Sequence, residues 1–141
     1  MEMRREHTLA KRVILCVDDE PIILNSLRDQ LLRHFGDRFS YECAESADEA
    51  LEVIDELNKA EVSILLIVSD WLMPGMKGDE LLIRVHQKFP GIVKIMLTGH
   101  ANEEAVERAR KDANLHRCLA KPWTEEDLIE ALTSGDWSIV P

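Results

Sequence analysis

The chain has 141 residues, of which 45% are apolar and 31% charged. That is enough for one ordinary domain with a real core, and it excludes the disordered and collagen-like classes. The formal net charge of −10 disfavours nucleic acid as a direct partner and suits a cationic ligand or a basic patch on another protein. Residues 1–11 are polar and lack the apolar stretch of a secretory leader. No apolar run approaches the roughly 18 residues that span a bilayer, so no membrane contact and a cytoplasmic location are expected. Cys16, Cys43 and Cys118 are an odd set at wide spacing that matches no zinc pattern. Lying among apolar residues in expected strands, they read as buried, reduced thiols.

The elements alternate along the chain. Arg12–Val17 (RVILCV) is a continuous apolar run, as expected of a strand covered on both faces. Asp18-Asp19-Glu20-Pro21 ends it, and Pro21 suits the first position of a helix. That helix runs to about His34, with Ile23, Leu24, Leu27 and Leu31 on one face. Phe39–Ala44 is a second strand. Ser46 to Glu49 is a capping box opening a second helix, whose stripe is Ala47, Leu51, Ile54 and Leu57. Ser63–Ser69 (SILLIVS) is the most apolar strand, expected at the centre of the sheet, and it ends at Asp70.

Met73-Pro74-Gly75-Met76-Lys77-Gly78 reads as a loop. A third helix follows, with Leu81, Leu82, Val85 and Phe89 inward, and Pro90-Gly91 stops it. Ile92–Leu97 is a fourth strand, ending at Thr98-Gly99. The fourth helix, Asn102–Ala113, has a thin stripe of Ala101, Ala105, Val106, Ala109 and Ala113. Small residues bury little area, so it should be weakly held and easily displaced. His116–Ala120 is a fifth strand, and Thr124 to Asp127 caps a last helix. Five strands alternating with five helices make a single α/β domain, a parallel sheet with helices on both faces. No internal repeat or linker is visible, and residues 1–9 and 135–141 read as peripheral.

In such sheets ligands bind at the carboxyl ends of the strands, where the strand order reverses. The first strand ends in Asp18 and Asp19, the third in Asp70, the fourth in Thr98 and the fifth in Lys121. Each residue alone has an ordinary reading; Asp18, Asp19 and Glu20, for example, favour a helix N-terminus. Their joint placement at four strand ends points to a site. Three carboxylates repel one another, so without a cation at least one pKa must rise. Oxygen-only ligands favour Mg²⁺ or Mn²⁺ over zinc. Asp70 can then act as nucleophile on a phosphoryl group. Lys121 can pair with a phosphate oxygen, Thr98 can donate to another, and Gly99 leaves room beside them.

The segments Ile14–Pro21 (ILCVDDEP), Val68–Gly78 (VSDWLMPGMKG), Ile95–His100 (IMLTGH) and Ala120–Trp123 (AKPW) occur in order over about residues 11–134. As a set the sequence resembles the receiver domain of two-component response regulators. The resemblance implies a flavodoxin-like, doubly wound sheet of five parallel strands in the order 2-1-3-4-5. It implies that Asp70 is the phosphoacceptor, that Asp18 and Asp19 hold Mg²⁺, and that the backbone carbonyl of Leu72 completes the metal site. Thr98 would be the switch hydroxyl and Lys121 the phosphate contact, with a cis bond between Lys121 and Pro122. The implied partners are a sensor histidine kinase or phosphotransfer protein as donor, and an output domain or effector protein. The readout face would be the fourth helix, fifth strand and fifth helix, and catalysis would be limited to the domain's own phosphorylation and dephosphorylation.

One departure stands out: the family commonly has Tyr or Phe three residues before the lysine, and here that position is Cys118. A thiol cannot reproduce the packing swing of a ring. Trp123 after Pro122 resembles receivers attached to larger regulators, including hydrogenase-type transcription regulators and cyclic-dinucleotide phosphodiesterases. His100 and His116 read as solvated.

Other functions fit less well. An aspartate-nucleophile phosphatase resembling the haloacid dehalogenase family needs a second Asp two residues after the nucleophile, where this chain has Leu72. A dinucleotide-binding domain needs a Gly-rich turn after the first strand, where Asp18-Asp19-Glu20-Pro21 would repel pyrophosphate. A pseudo-receiver that binds partners without phosphorylation would have no use for the complete set of five side chains.

Overall fold

Continuous apolar runs and amphipathic stripes set the order of elements in the computed structural model, which describes residues 11–99 and 102–134. His100, Ala101 and the expected peripheral ends lie outside the described residues. The strands are β1 (Val13–Val17), β2 (Ser40–Ala44), β3 (Ile64–Asp70), β4 (Val93–Thr98) and β5 (Arg117–Ala120). The helices are α1 (Pro21–Phe35), α2 (Ala47–Lys59), α3 (Gly78–Lys88), α4 (Glu103–Ala113) and α5 (Glu125–Thr133). All neighbouring strands are parallel, in the order β2-β1-β3-β4-β5. This is the expected flavodoxin-like order, with its switch point between β1 and β3.

Alternation along the strands divides the core in two. Leu15, Val17, Ile67 and Met96 face α2, α3 and α4, where Ala50, Ile54, Leu81, Leu82, Val85 and Ala109 cover them. Ile14, Cys16, Leu66, Val68, Ile95 and Leu97 face α1 and α5, covered by Leu24, Leu27, Leu31, Phe35, Leu128 and Leu132. Residues on both faces of β1 and β3 are buried, which is why their sequences run apolar without alternation.

The helix starts follow their caps. Pro21 opens α1. Ser46 accepts from the Glu49 amide at 3.1 Å, while Glu49 reaches back to the Glu45 amide at 2.7 Å. Thr124 accepts from the Asp127 amide at 3.0 Å, and Asn102 from the Ala105 amide at 2.9 Å. Among the described residues, no helix is long and apolar enough to cross a membrane.

Several expectations are corrected. A 3₁₀ turn, Gly36–Arg38, separates α1 from β2. Phe39 precedes β2 and packs edge-on against Phe35, with ring centroids 5.6 Å apart. Ile83 is buried and Phe89 only half-buried. The cysteines are free, but only Cys16 is fully buried; Cys43 lies on an edge strand and Cys118 on the other. His116 is half-buried rather than solvated, and burial pushes its pKa down.

Lys94, inside an apolar strand, is 1% exposed. Its ammonium donates to the Ile92 carbonyl at 2.6 Å and the Pro90 carbonyl at 3.4 Å, and burial lowers its pKa to about 8.

Candidate functional site

Strand register brings the chemistry together. Val17 pairs with Ser69 across β1 and β3, so Asp18 and Asp70 leave the sheet side by side. Asp70 pairs with Leu97, and Thr98 with Ala120, which sets Thr98 and Lys121 at the same edge. The Lys121 amide donates to the Thr98 carbonyl at 2.8 Å. The Lys121–Pro122 bond is cis, as expected.

Asp18, Asp19 and Asp70 each offer a carboxylate oxygen within 4.8 Å of the others. Asp18 and Asp70 are buried and Asp19 is half-buried. One Asp18 oxygen accepts from the Glu20 amide at 2.9 Å. The other lies 2.9 Å from the Lys121 ammonium, which also sits 3.0 Å from an Asp70 oxygen. Thr98 is buried at the end of β4 and lines a cavity of about 420 Å³ with Val106, Cys118 and Ala120. Cys118 thus borders open space beside α4.

Burial raises the Asp70 pKa; the Lys121 hydrogen bond opposes the rise, and the Asp18 charge adds to it. For Lys121, burial alone would depress the ammonium, but its bonds to Asp18 and Asp70 win and raise its pKa. One ammonium thus falls short of neutralising three carboxylates. The donor set is hard oxygen with no sulfur or imidazole, and it fits a divalent ion such as Mg²⁺.

The loop after β3 is anchored beside the site. The Trp71 amide donates to the Leu97 carbonyl, and the Gly78 amide to the Trp71 carbonyl, both at 2.8 Å. Gly78 opens α3 hard against the Asp70 backbone, leaving no room for a side chain. Leu72 stands in this loop with its side chain exposed.

A clasp not foreseen in the sequence ties this loop to α4. Buried Asp79 accepts from the Trp71 indole at 3.2 Å and from Arg108 at 3.0 Å. Arg108 also donates to Glu80 at 2.7 Å. The apolar contact of α4 is as thin as expected, with Ala105, Ala109 and Ala113 buried, yet Arg108 pins the helix to α3. Asp79→Ala should cost about 2 kcal/mol, because it leaves the indole N–H without its carboxylate. Arg108→Ala removes a guanidinium that is itself exposed and should cost less, about 1 kcal/mol. Urea denaturation of both variants checks the order; an equal loss would contradict it. The acid in the first turn of α3 is visible in the sequence, whereas nothing local pairs it with Arg108, 29 residues on.

The chain is similar to known proteins over most of its length. The sequence model of the response regulator receiver domain matches residues 14–133. The hydrogenase transcriptional regulatory protein HoxA of Cupriavidus necator is 32% identical over 119 residues, which are 84% of this chain and 23% of HoxA. The chain therefore spans under a quarter of that relative. Chemotaxis protein CheY-3 of Vibrio cholerae is 29% identical, covering 90% of this chain and 94% of CheY-3. The signal receiver domain of an HD domain-containing protein from Pseudomonas fluorescens superposes with a TM-score of 0.76 at 30% identity, covering 86% of this chain and 91% of that one. A CheY-like receiver from Methanospirillum hungatei gives 0.75 at 32% identity, covering 87% and 91%. With the family's sequence model spanning most of its length and the acid site at the carboxyl edge of its sheet, the chain belongs to the response regulator receiver domain family.

Proposed function

We propose that the domain accepts a phosphoryl group on Asp70 in a Mg²⁺-dependent reaction and uses it to switch a partner-binding face. The observation that carries this reading is the convergence of Asp18, Asp19 and Asp70 around the ammonium of Lys121. An Asp70 oxygen forms the new P–O bond as the donor's bond to phosphorus breaks. Mg²⁺, held by Asp18, Asp19, Asp70 and the backbone carbonyl of Leu72, would supply positive charge to the transferring oxygens. Lys121 turns from the carboxylates to a phosphoryl oxygen, and the Thr98 hydroxyl donates to another. The added charge, about −1.5 to −2 at neutral pH, draws Thr98 inward.

The cavity beside Cys118 gives Thr98 and α4 space to rearrange without a ring, so α4, β5 and α5 form the readout face. The donor is a sensor histidine kinase or phosphotransfer protein, and the receiver of the signal is an output domain or effector protein. A cytoplasmic site of action follows from those partners.

The test is intact mass after incubation with acetyl phosphate. One added phosphoryl group is expected with Mg²⁺ and none with EDTA. Should hydrolysis outrun detection, beryllofluoride with Mg²⁺ should still shift the amide spectrum around Thr98 and α4. No adduct and no shift would favour a phosphorylation-independent interaction domain.

A further inference from the structure

Two cysteines stand side by side in the sheet, apart from the acid site. Cys16 and Cys43 are direct partners in the parallel pairing of β1 with β2, and both belong to the layer that packs against α1 and α5. Adjacent strands lie about 4.8 Å apart, within the about 4.4–6.8 Å that separates the Cα atoms of a disulfide. The two thiols differ in access. Cys16 is fully buried, whereas Cys43 is half-buried on a strand paired on one side only. That strand can shift to close a bond, and its outer thiol can meet a small oxidant.

We propose that Cys43 and Cys16 form a peroxide-responsive thiol pair that closes to a disulfide between β1 and β2. The Cys43 thiolate attacks one oxygen of a hydroperoxide; the O–O bond breaks, hydroxide (or alkoxide) leaves and is protonated, and Cys43 becomes a sulfenic acid. The Cys16 sulfur then attacks the Cys43 sulfur. The S–O bond breaks, and the departing hydroxide takes the Cys16 proton as water. With hydrogen peroxide, two thiols and one peroxide give one disulfide and two waters.

The surroundings favour these roles. A hydrogen bond from Cys16 lowers the Cys43 pKa to about 7 against the opposing effect of burial; Arg28 helps, while Glu42 and Glu49 oppose. A thiolate is therefore available near neutral pH at the outer position, where attack begins. Cys118, whose pKa burial raises, lies on the opposite edge strand and stays out of the pair.

The experiment treats the full chain with dilute hydrogen peroxide in EDTA, then counts thiols after denaturation and maps peptides. The three thiols should fall to one, with a mass loss of two hydrogens, a Cys16–Cys43 linked peptide, and full reversal by dithiothreitol. Cys43→Ser, a change at a half-buried edge, should keep both remaining thiols under the same treatment. Three surviving thiols at a peroxide level that oxidises a free cysteine peptide would overturn the proposal. So would a lasting sulfenic acid on Cys43, or a link through Cys118. The readout needs no phosphorylation, so its failure would leave the Asp70 reading untouched.

Discussion

Gly78→Ala is expected to destabilise the domain by about 3 kcal/mol and to suppress phosphorylation of Asp70. A Cβ at this position would stand 2.2 Å from the Asp70 carbonyl oxygen, 2.9 Å from the Trp71 Cα and 3.0 Å from the Asp70 carbonyl carbon. All three are backbone atoms, so no side chain can turn aside. Relief requires moving either the start of α3 or the end of β3, and the second displaces the acceptor itself. The hydrogen bond from the Gly78 amide to the Trp71 carbonyl would be lost in the first case. Gly91→Ala is the matching control, since a Cβ there meets nothing within 4 Å and should change stability by under about 0.5 kcal/mol. Urea denaturation reads both; a Gly78→Ala loss as small as the control's would contradict the packing argument.

Lys121→Met should lower the rate of phosphorylation by acetyl phosphate by about a hundredfold, and it should destabilise the metal-free domain by about 2–3 kcal/mol. Methionine keeps an unbranched apolar stem of similar length, so the change acts chiefly on the charge. Breaking a buried ion pair leaves uncompensated charge at a cost of about 3–5 kcal/mol. The 18% exposure of the Lys121 side chain reduces that figure. In its absence Asp18 and Asp70 face each other with no cation. Adding Mg²⁺ should restore most of the stability and little of the rate, because the ion can neutralise the carboxylates but cannot take the lysine's place on the phosphoryl group.

The pH dependence has a defined direction. Asp70 has its pKa raised in the folded protein, so the folded state keeps that proton to higher pH than the unfolded chain does. This group's contribution is therefore fully present below the unfolded carboxyl value and is lost as pH rises through the raised one. In EDTA the fall should be steeper for Lys121→Met than for the wild type. Parallel pH profiles would count against the shared ammonium as the neutralising group.

Much of this architecture is legible in the sequence, for physical reasons. β1 and β3 are buried on both faces, and a strand with no polar side must read as an unbroken apolar run. The caps at Ser46 and Thr124 are local, so their residues announce them. Asp18, Asp70, Thr98 and Lys121 fall at strand ends, and the parallel sheet does the rest by placing those ends at one edge. What stays hidden depends on register or on contacts between distant segments. The pairing of Cys16 with Cys43 needs the alignment of β1 with β2. Arg108 looks like one more charge on a surface helix until α4 packs beside α3 and brings it to Asp79. The close approach at Gly78 is likewise invisible, since a glycine in a Pro- and Gly-rich loop reads as a turn. Buried Lys94 breaks the apolar rule outright, and only the carbonyls of Ile92 and Pro90 explain how the core tolerates it.

The central claim is that Asp70 carries the phosphoryl group, and reductive trapping tests it most directly. Borohydride converts an aspartyl phosphate to homoserine, leaving free carboxylates unchanged. After acetyl phosphate and Mg²⁺, peptide mapping should find homoserine at position 70 and nowhere else, and Asp70→Asn protein should give none. Homoserine at position 18 or 19, or an undiminished signal in Asp70→Asn, would contradict the account.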